Sequence, residues 1–68
     1  MIVYFENSLG VRRQIGNADS SSEVMRIIHN FLEEHNYKSY YTRSWVENNE
    51  TIYDVGSHSE FFIVDGLI

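Results

Sequence analysis

The sequence predicts one small α+β domain, spanning residues 1–68, in which a single helix packs across an antiparallel sheet in the order ββαβββ. Three observations support this fold class. One stretch has the apolar spacing of an amphipathic helix, and runs rich in β-branched and aromatic residues lie on both sides of it. Loops rich in Asn, Ser and Gly join neighbouring runs as hairpins, which favours antiparallel pairing.

The first two strands are predicted at Ile2 to Glu6 and at Val11 to Ile15, where β-branched and aromatic residues are frequent. The loop from Asn7 to Gly10 joins them as a hairpin, because its glycine can take the positive φ that a tight turn needs.

The helix is predicted at about Ser21 to His35. Its apolar residues recur at i, i+3, i+4, i+7 and i+8, which places them on one face. They are Val24, Ile27, Ile28, Phe31 and Leu32. Ser20 followed by Glu23 is the spacing of a capping box, and Asn36 suits a left-handed residue after the last turn.

After the helix, Lys38 to Glu47 is a long run of strand formers. Asn48 and Asn49 predict a turn, from which Thr51 to Val55 returns as the second strand of another hairpin. Phe61 to Val64 predicts a last short strand.

Size and composition limit how the chain reaches stability. A domain of 68 residues buries only about 60% of its unfolded surface, so its own core leaves a small margin. The absence of cysteine excludes disulfides and thiolate metal sites. Aromatic residues make up 15% of the chain, so self-association as a homodimer is expected to be possible. No apolar run reaches membrane-spanning length, and no signal peptide is visible.

Charge is distributed unevenly along the chain. The segment from Glu47 to Ile68 contains five acids and no Lys or Arg, and it carries the whole net charge of −5. An acidic segment repels nucleic acid and membrane surfaces and suits a partner protein with a basic surface. The alternative is an ordinary solvated surface whose charges discourage aggregation between sheet edges.

Aromatic residues are expected on both faces of the sheet, whereas one helix covers only one face. Alternation along the third strand points Tyr41, Arg43 and Trp45 to the same side. We expect the uncovered face to leave some of Tyr40, Tyr41, Trp45 and Tyr53 partly exposed, and exposed aromatic patches mark interfaces. The same patch resembles a base-stacking platform, but the acidic charge of the chain disfavours direct nucleic-acid binding.

The candidate catalytic and metal-binding groups are sparse. His58 and Glu60 could point to one side of an extended segment near Asp54, as a metal site or an acid–base pair; a polar loop is the favoured interpretation. His29 and His35 are six apart and do not share a helix face. No nucleophile elbow or phosphate-binding glycine loop is present in the sequence. The sequence therefore predicts no enzyme, no cofactor and no metal.

The stretch Tyr40-Tyr41-Thr42-Arg43-Ser44-Trp45 and the run Asp54-Val55-Gly56-Ser57-His58-Ser59-Glu60-Phe61-Phe62 resemble a group of small uncharacterised proteins encoded by bacteriophages and prophages of Gram-positive bacteria. The resemblance implies a protein made in the cytoplasm of a bacterial host. Phage proteins of this size are often inhibitors or adaptors for host machinery, including inhibitors of CRISPR–Cas. No catalytic motif is attached to the group, so the resemblance assigns no residue a role.

The leading hypothesis is a non-enzymatic protein that binds and occludes a host or phage protein with a basic surface. Tyr41, Trp45 and Tyr53 would be the aromatic anchors, with Arg43 beside them. Acidic side chains would steer the encounter. These acids are Glu47, Glu50, Asp54 and Glu60.

Two other hypotheses belong to different classes. The first is a homo-oligomer that binds a nucleotide between its subunits, with Arg12, Arg13 or Arg43 on the phosphate and a tyrosine on the base. The second is an enzyme that uses His58 and Glu60, which would require His58 for activity.

Overall fold

Five strands form one antiparallel sheet, and a single helix contacts it, as the sequence predicts. The computed structural model describes residues 1–36, 42–56 and 59–66. In chain order, the elements are β1 (Ile2–Glu6), β2 (Arg12–Asn17), α1 (Ser21–Glu34), β3 (Arg43–Glu47), β4 (Glu50–Asp54) and β5 (Phe61–Asp65). The strand order across the sheet is β2-β1-β5-β4-β3. The first part of the long strand predicted from Lys38 lies outside the described residues.

The β1–β2 hairpin is closed by the side chain of Asn7. Its Oδ1 accepts hydrogen bonds from the backbone N–H of Leu9, at 2.9 Å, and of Val11, at 3.0 Å. Gly10 has a φ of 79°, which confirms the prediction of a positive φ at this position. Hydrogen bonds within this exposed loop therefore hold the turn, and the turn does not depend on contacts with the core.

The β3–β4 hairpin has a two-residue turn. Asn48 and Asn49 have φ values of 52° and 62°, the left-handed conformation that a type I′ turn needs at both central positions. Asparagine tolerates this region better than most residues, so the predicted turn is confirmed with a defined geometry. A two-residue turn places Glu47 directly opposite Glu50 and so sets the register of the whole hairpin.

Strand β5 lies between the two hairpins and joins them. It pairs antiparallel with β1 on one side and with β4 on the other. Phe62 lies opposite Phe5 in β1 and opposite Tyr53 in β4. Because cross-strand partners share a face, these three aromatic side chains point to the same side of the sheet.

Helix α1 begins at the predicted residue and ends at Glu34, one residue before the predicted His35, which is the C-cap. The Oγ of Ser20 accepts the backbone N–H of Glu23 at 3.3 Å, which confirms the N-cap. The Glu23 carboxylate accepts the N–H of Asp19, at 3.0 Å, one residue before the position used in a standard capping box. Asn36 has a φ of 57° and ends the helix as a left-handed residue.

The core lies between α1 and one face of the sheet. The helix buries Val24, Ile28, Phe31 and Leu32. The sheet residues of this core are Val3, Tyr53, Val55, Phe62 and Val64. The helix therefore covers the sheet face that carries Tyr53. In the described part of the chain, no helix is both long and apolar enough to cross a membrane.

Candidate functional site

The sheet face opposite the helix, called the open face here, contains a concave pocket of about 260 Å³. The β3–β4 register pairs Trp45 with Ile52, and the β4–β5 register pairs Ile52 with Ile63, so the three share this face. Side chains from all five strands line the pocket. They are Glu6, Arg12, Trp45, Glu47, Ile52, Phe61 and Ile63.

Arg12 spans the open face and ties distant strands together. Its Nε contacts Glu6 Oε1 at 2.9 Å, and its two terminal nitrogens contact both oxygens of Glu50, at 2.8 and 3.2 Å. Strands β1 and β5 lie between β2 and β4, so flat strands would be about 14 Å apart. The contact therefore indicates that the sheet curls towards this side. The hydrogen bonds that the Arg12 guanidinium donates to Glu50, and then to Glu6, raise the pKa of Arg12.

Trp45 is partly buried and is held by three neighbours. Its ring lies edge-on to Phe61, with 6.1 Å between the centroids. The guanidinium carbon of Arg43 lies 5.3 Å from the Trp45 ring centroid, within the range of a cation–π contact. The indole Nε1 donates to Glu47 Oε2 at 3.2 Å. These contacts preorganise a large aromatic side chain beside the pocket, as an interface anchor requires.

Arg43 and Asp54 form an ion pair across the β3–β4 ladder, with 2.7 Å between Nη2 and Oδ2. The Arg43 side chain is 61% exposed, whereas the Asp54 side chain is only 1% exposed. The second oxygen of Asp54 accepts the backbone N–H of Gly56 at 2.9 Å. The expectation that Asp54 steers a partner is therefore wrong, because its carboxylate is buried and binds groups of its own chain.

The expectation that Tyr53 is an exposed anchor is also wrong. Tyr53 is 8% exposed and belongs to the core under the helix. Its cross-strand partner is Ser44, so it points away from Trp45. Burial raises the pKa of the Tyr53 hydroxyl above its usual range. Counting back from the Asn48–Asn49 turn pairs residue 45 with 52, and that count would have shown that Tyr53 and Trp45 lie on opposite faces of the sheet.

Carboxylates surround the pocket. Glu47 is exposed, and it lies directly opposite Glu50, an arrangement that is unfavourable for two like charges. Glu6 lies on the far side of the pocket, and alternation along β5 places the exposed Asp65 on the same face as Ile63. Arg12 and Arg43 offset part of this charge. The open face therefore combines an aromatic pocket with acidic side chains around it.

Four of the residues predicted for the site lie on the open face. They are Arg43, Trp45, Glu47 and Glu50. Glu60 is partly buried, immediately before β5. Tyr41 and His58 lie outside the described residues, so the arrangement of His58 with Glu60 stays a prediction. Among the described residues, no group of three or more His, Asp or Glu side chains could hold a metal ion.

Sequence reasoning missed Glu6 and Phe61 as parts of the site and considered Arg12 only as a phosphate ligand. The hairpin register could have paired Glu6 with Arg12. The contact between Arg12 and Glu50 joins residues 38 positions apart and depends on the curl of the sheet, which no local pattern encodes.

A second concave region, of about 290 Å³, lies between the first hairpin and the end of α1. Phe5, Phe31 and His35 contribute rings to it, and the guanidinium carbon of Arg13 lies 5.8 Å from the Phe31 centroid. The Phe31 and His35 rings stack at 4.1 Å. The lining of this region carries fewer charged side chains than the open face. It contains one arginine and no carboxylate.

Comparison of the chain with protein-family models, with curated proteins and with solved structures found no match.

Proposed function

We propose that this chain is a non-enzymatic interaction protein whose open face binds a partner protein with a basic surface. The observation that carries the proposal is the concave pocket of the open face, which the one helix of the described residues does not cover. Trp45 and Phe61 form its aromatic part, and the carboxylates of Glu6 and Glu47 line it together with Arg12. Enclosed aromatic anchors with a polar rim are typical of protein interfaces.

The two parts of the surface would contribute differently to binding. Trp45 supplies a large contact area. Tryptophan is one of the residue types enriched at hot spots, where truncation costs about 2 kcal/mol or more. Glu47 is exposed and rim-like, so it would act mainly on the association rate and its salt dependence. The same acidic side chains disfavour nucleic acid as the direct ligand, since phosphate neutralisation dominates that affinity.

The proposed partner is a host protein that itself binds nucleic acid, because such proteins present basic grooves. The resemblance to phage-encoded proteins supports a host target, and defence proteins such as CRISPR–Cas effectors belong to this class. The mechanism is occlusion: the open face occupies basic surface that nucleic acid would otherwise contact. The chain would act in the bacterial cytoplasm, where these targets are found.

The test is capture of partners from host lysate by the tagged chain, at low and at high salt, followed by binding assays with the purified partner. Trp45→Ala should weaken binding at least thirtyfold, which is the equivalent of about 2 kcal/mol. Glu47→Lys should slow association and reduce its salt dependence. Glu33→Lys is the matched control, because it makes the same charge change on the exposed helix surface. Binding that survives both open-face substitutions unchanged would contradict the proposal.

A nucleotide-binding oligomer is the second candidate, favoured only by the placement of Arg13 over the Phe31 ring in the second concave region. The guanidinium groups of Arg12 and Arg43 contact carboxylates of the chain itself, so a phosphate would compete with them. Titration with ATP, comparing the wild type with Arg13→Ala, separates the two candidates. Saturable binding that depends on Arg13 would favour the ligand-binding function.

A further inference from the structure

Strand β3 is at the edge of the sheet, and in the described part of the chain its only strand neighbour is β4. In the two-residue hairpin, Glu47 and Glu50 flank the turn and form a hydrogen-bonded pair. Hydrogen-bonded and non-hydrogen-bonded pairs alternate along an antiparallel ladder. The backbone groups of Ser44 and Val46 therefore point away from β4, towards the open edge.

The two edges of the sheet differ in how they are protected against pairing with another chain. The β1–β2 ladder has a register shift between Val3 and Tyr4. A bulge of this kind discourages pairing of an edge strand with another chain. The β3–β4 ladder is regular throughout, and β3 contains neither Gly nor Pro. Val46 is 61% exposed at this edge.

We propose that β3 pairs antiparallel with β3 of a second copy of this chain, about a two-fold axis at Trp45. Ser44 of each copy then lies opposite Val46 of the other copy. Both residues direct their backbone groups outwards, so this register allows two hydrogen-bonded pairs with four N–H···O=C bonds. The interface is isologous, as the common two-fold dimers are.

The side chains of β3 are complementary to themselves in this register. Arg43 lies opposite Glu47 of the second copy, once on each side of the axis, and both residues project from the open face. Moving the axis one residue towards Ser44 places Arg43 opposite Trp45, and moving it towards Val46 places Glu47 opposite Trp45. Both moves lose the ion pairs. The five-residue sequence thus selects one pairing, which supports a second copy as the occupant of the edge.

Pairing at β3 would continue the sheet through ten strands and place two open faces side by side. It would also bury Val46, which the helix leaves exposed. For a 68-residue domain with a small core, association is a common source of added stability. This inference goes beyond the proposed function and does not depend on it.

Sedimentation equilibrium tests the dimer directly. The wild type should have twice the monomer mass of 8.0 kDa. Val46→Pro removes an outward N–H that the β4 ladder does not use, so the mass should fall to the monomer value while the circular dichroism spectrum is retained. Glu47→Arg sets like charges opposite each other and should act the same way, whereas Glu34→Arg on the helix should leave a dimer. A monomeric wild type, or dimers that survive both edge substitutions, would overturn the proposal.

Cross-linking tests the register. The chain has no cysteine, so Trp45→Cys places one thiol per copy at the two-fold axis, where mild oxidation should join two chains. Thr42→Cys is the control, because this exposed residue takes no part in the ion pairs and its symmetry mate is six residues away along the strand, about 20 Å. Efficient cross-linking at 42 without cross-linking at 45 would refute this register.

Discussion

The buried carboxylate of Asp54 yields a quantitative prediction for Asp54→Asn. One oxygen of Asp54 accepts from Arg43 at 2.7 Å, and the other accepts from the backbone N–H of Gly56 at 2.9 Å. Asparagine keeps one oxygen and replaces the other with an NH₂ group, which is a donor. One of the two contacts must therefore be lost, and a donor then faces a donor in a site that is 1% exposed.

The cost of this change lies between two limits. Breaking a fully buried ion pair costs about 3–5 kcal/mol, and breaking an exposed pair costs about 0–1 kcal/mol. Because Arg43 is 61% exposed and Asp54 is buried, we expect about 2 kcal/mol, the value of one hydrogen bond to a charged group. In a domain of this size each kcal/mol shifts the Tm by about 4–8 °C. Asp54→Asn should therefore lower the Tm by roughly 8–16 °C.

Thermal unfolding followed by circular dichroism measures this shift. Glu6→Gln is the matched control, because it also neutralises a carboxylate that contacts an arginine, but the two side chains are 26% and 40% exposed. It should cost less than about 1 kcal/mol. Equal Tm values for Asp54→Asn and Glu6→Gln would refute the assignment of Asp54 as a structural carboxylate.

Three further predictions concern stability. Burial raises the pKa of Tyr53, so the unfolded chain loses this proton first as the pH rises above about 10. Stability should fall in that range, and urea titrations should show a smaller fall in Tyr53→Phe. Ser20→Ala removes the N-cap of α1 and should cost about 1 kcal/mol in urea unfolding. Asn49→Gly should raise the Tm, because glycine adopts the left-handed φ of 62° without the strain of a side chain; an unchanged or lower Tm would count against the turn geometry.

The helix and strands whose signals lie in residues close together in the sequence could be predicted. Helix α1 follows from its apolar period and the Ser20 cap, and β1 has the bounds expected from its composition. The sequence did not show which strand residues face the helix. Both sides of β4 carry apolar residues, and only packing against the helix distinguishes the buried face from the open face. Tyr53 was misplaced for that reason. The ion network of Arg12 depends on the curl of the whole sheet, so it was not predicted.

The position of β5 has a consequence for how this chain folds. The strand that comes last in chain order fills the place between β1 and β4. Each hairpin joins residues close in sequence, whereas the pairing of β5 with β1 joins residues 55 to 61 positions apart, from Glu6 with Phe61 to Val3 with Val64. Contacts of such long sequence separation slow folding and leave apolar surface exposed meanwhile. Loss of β5 would leave two separate hairpins, each of marginal stability in water.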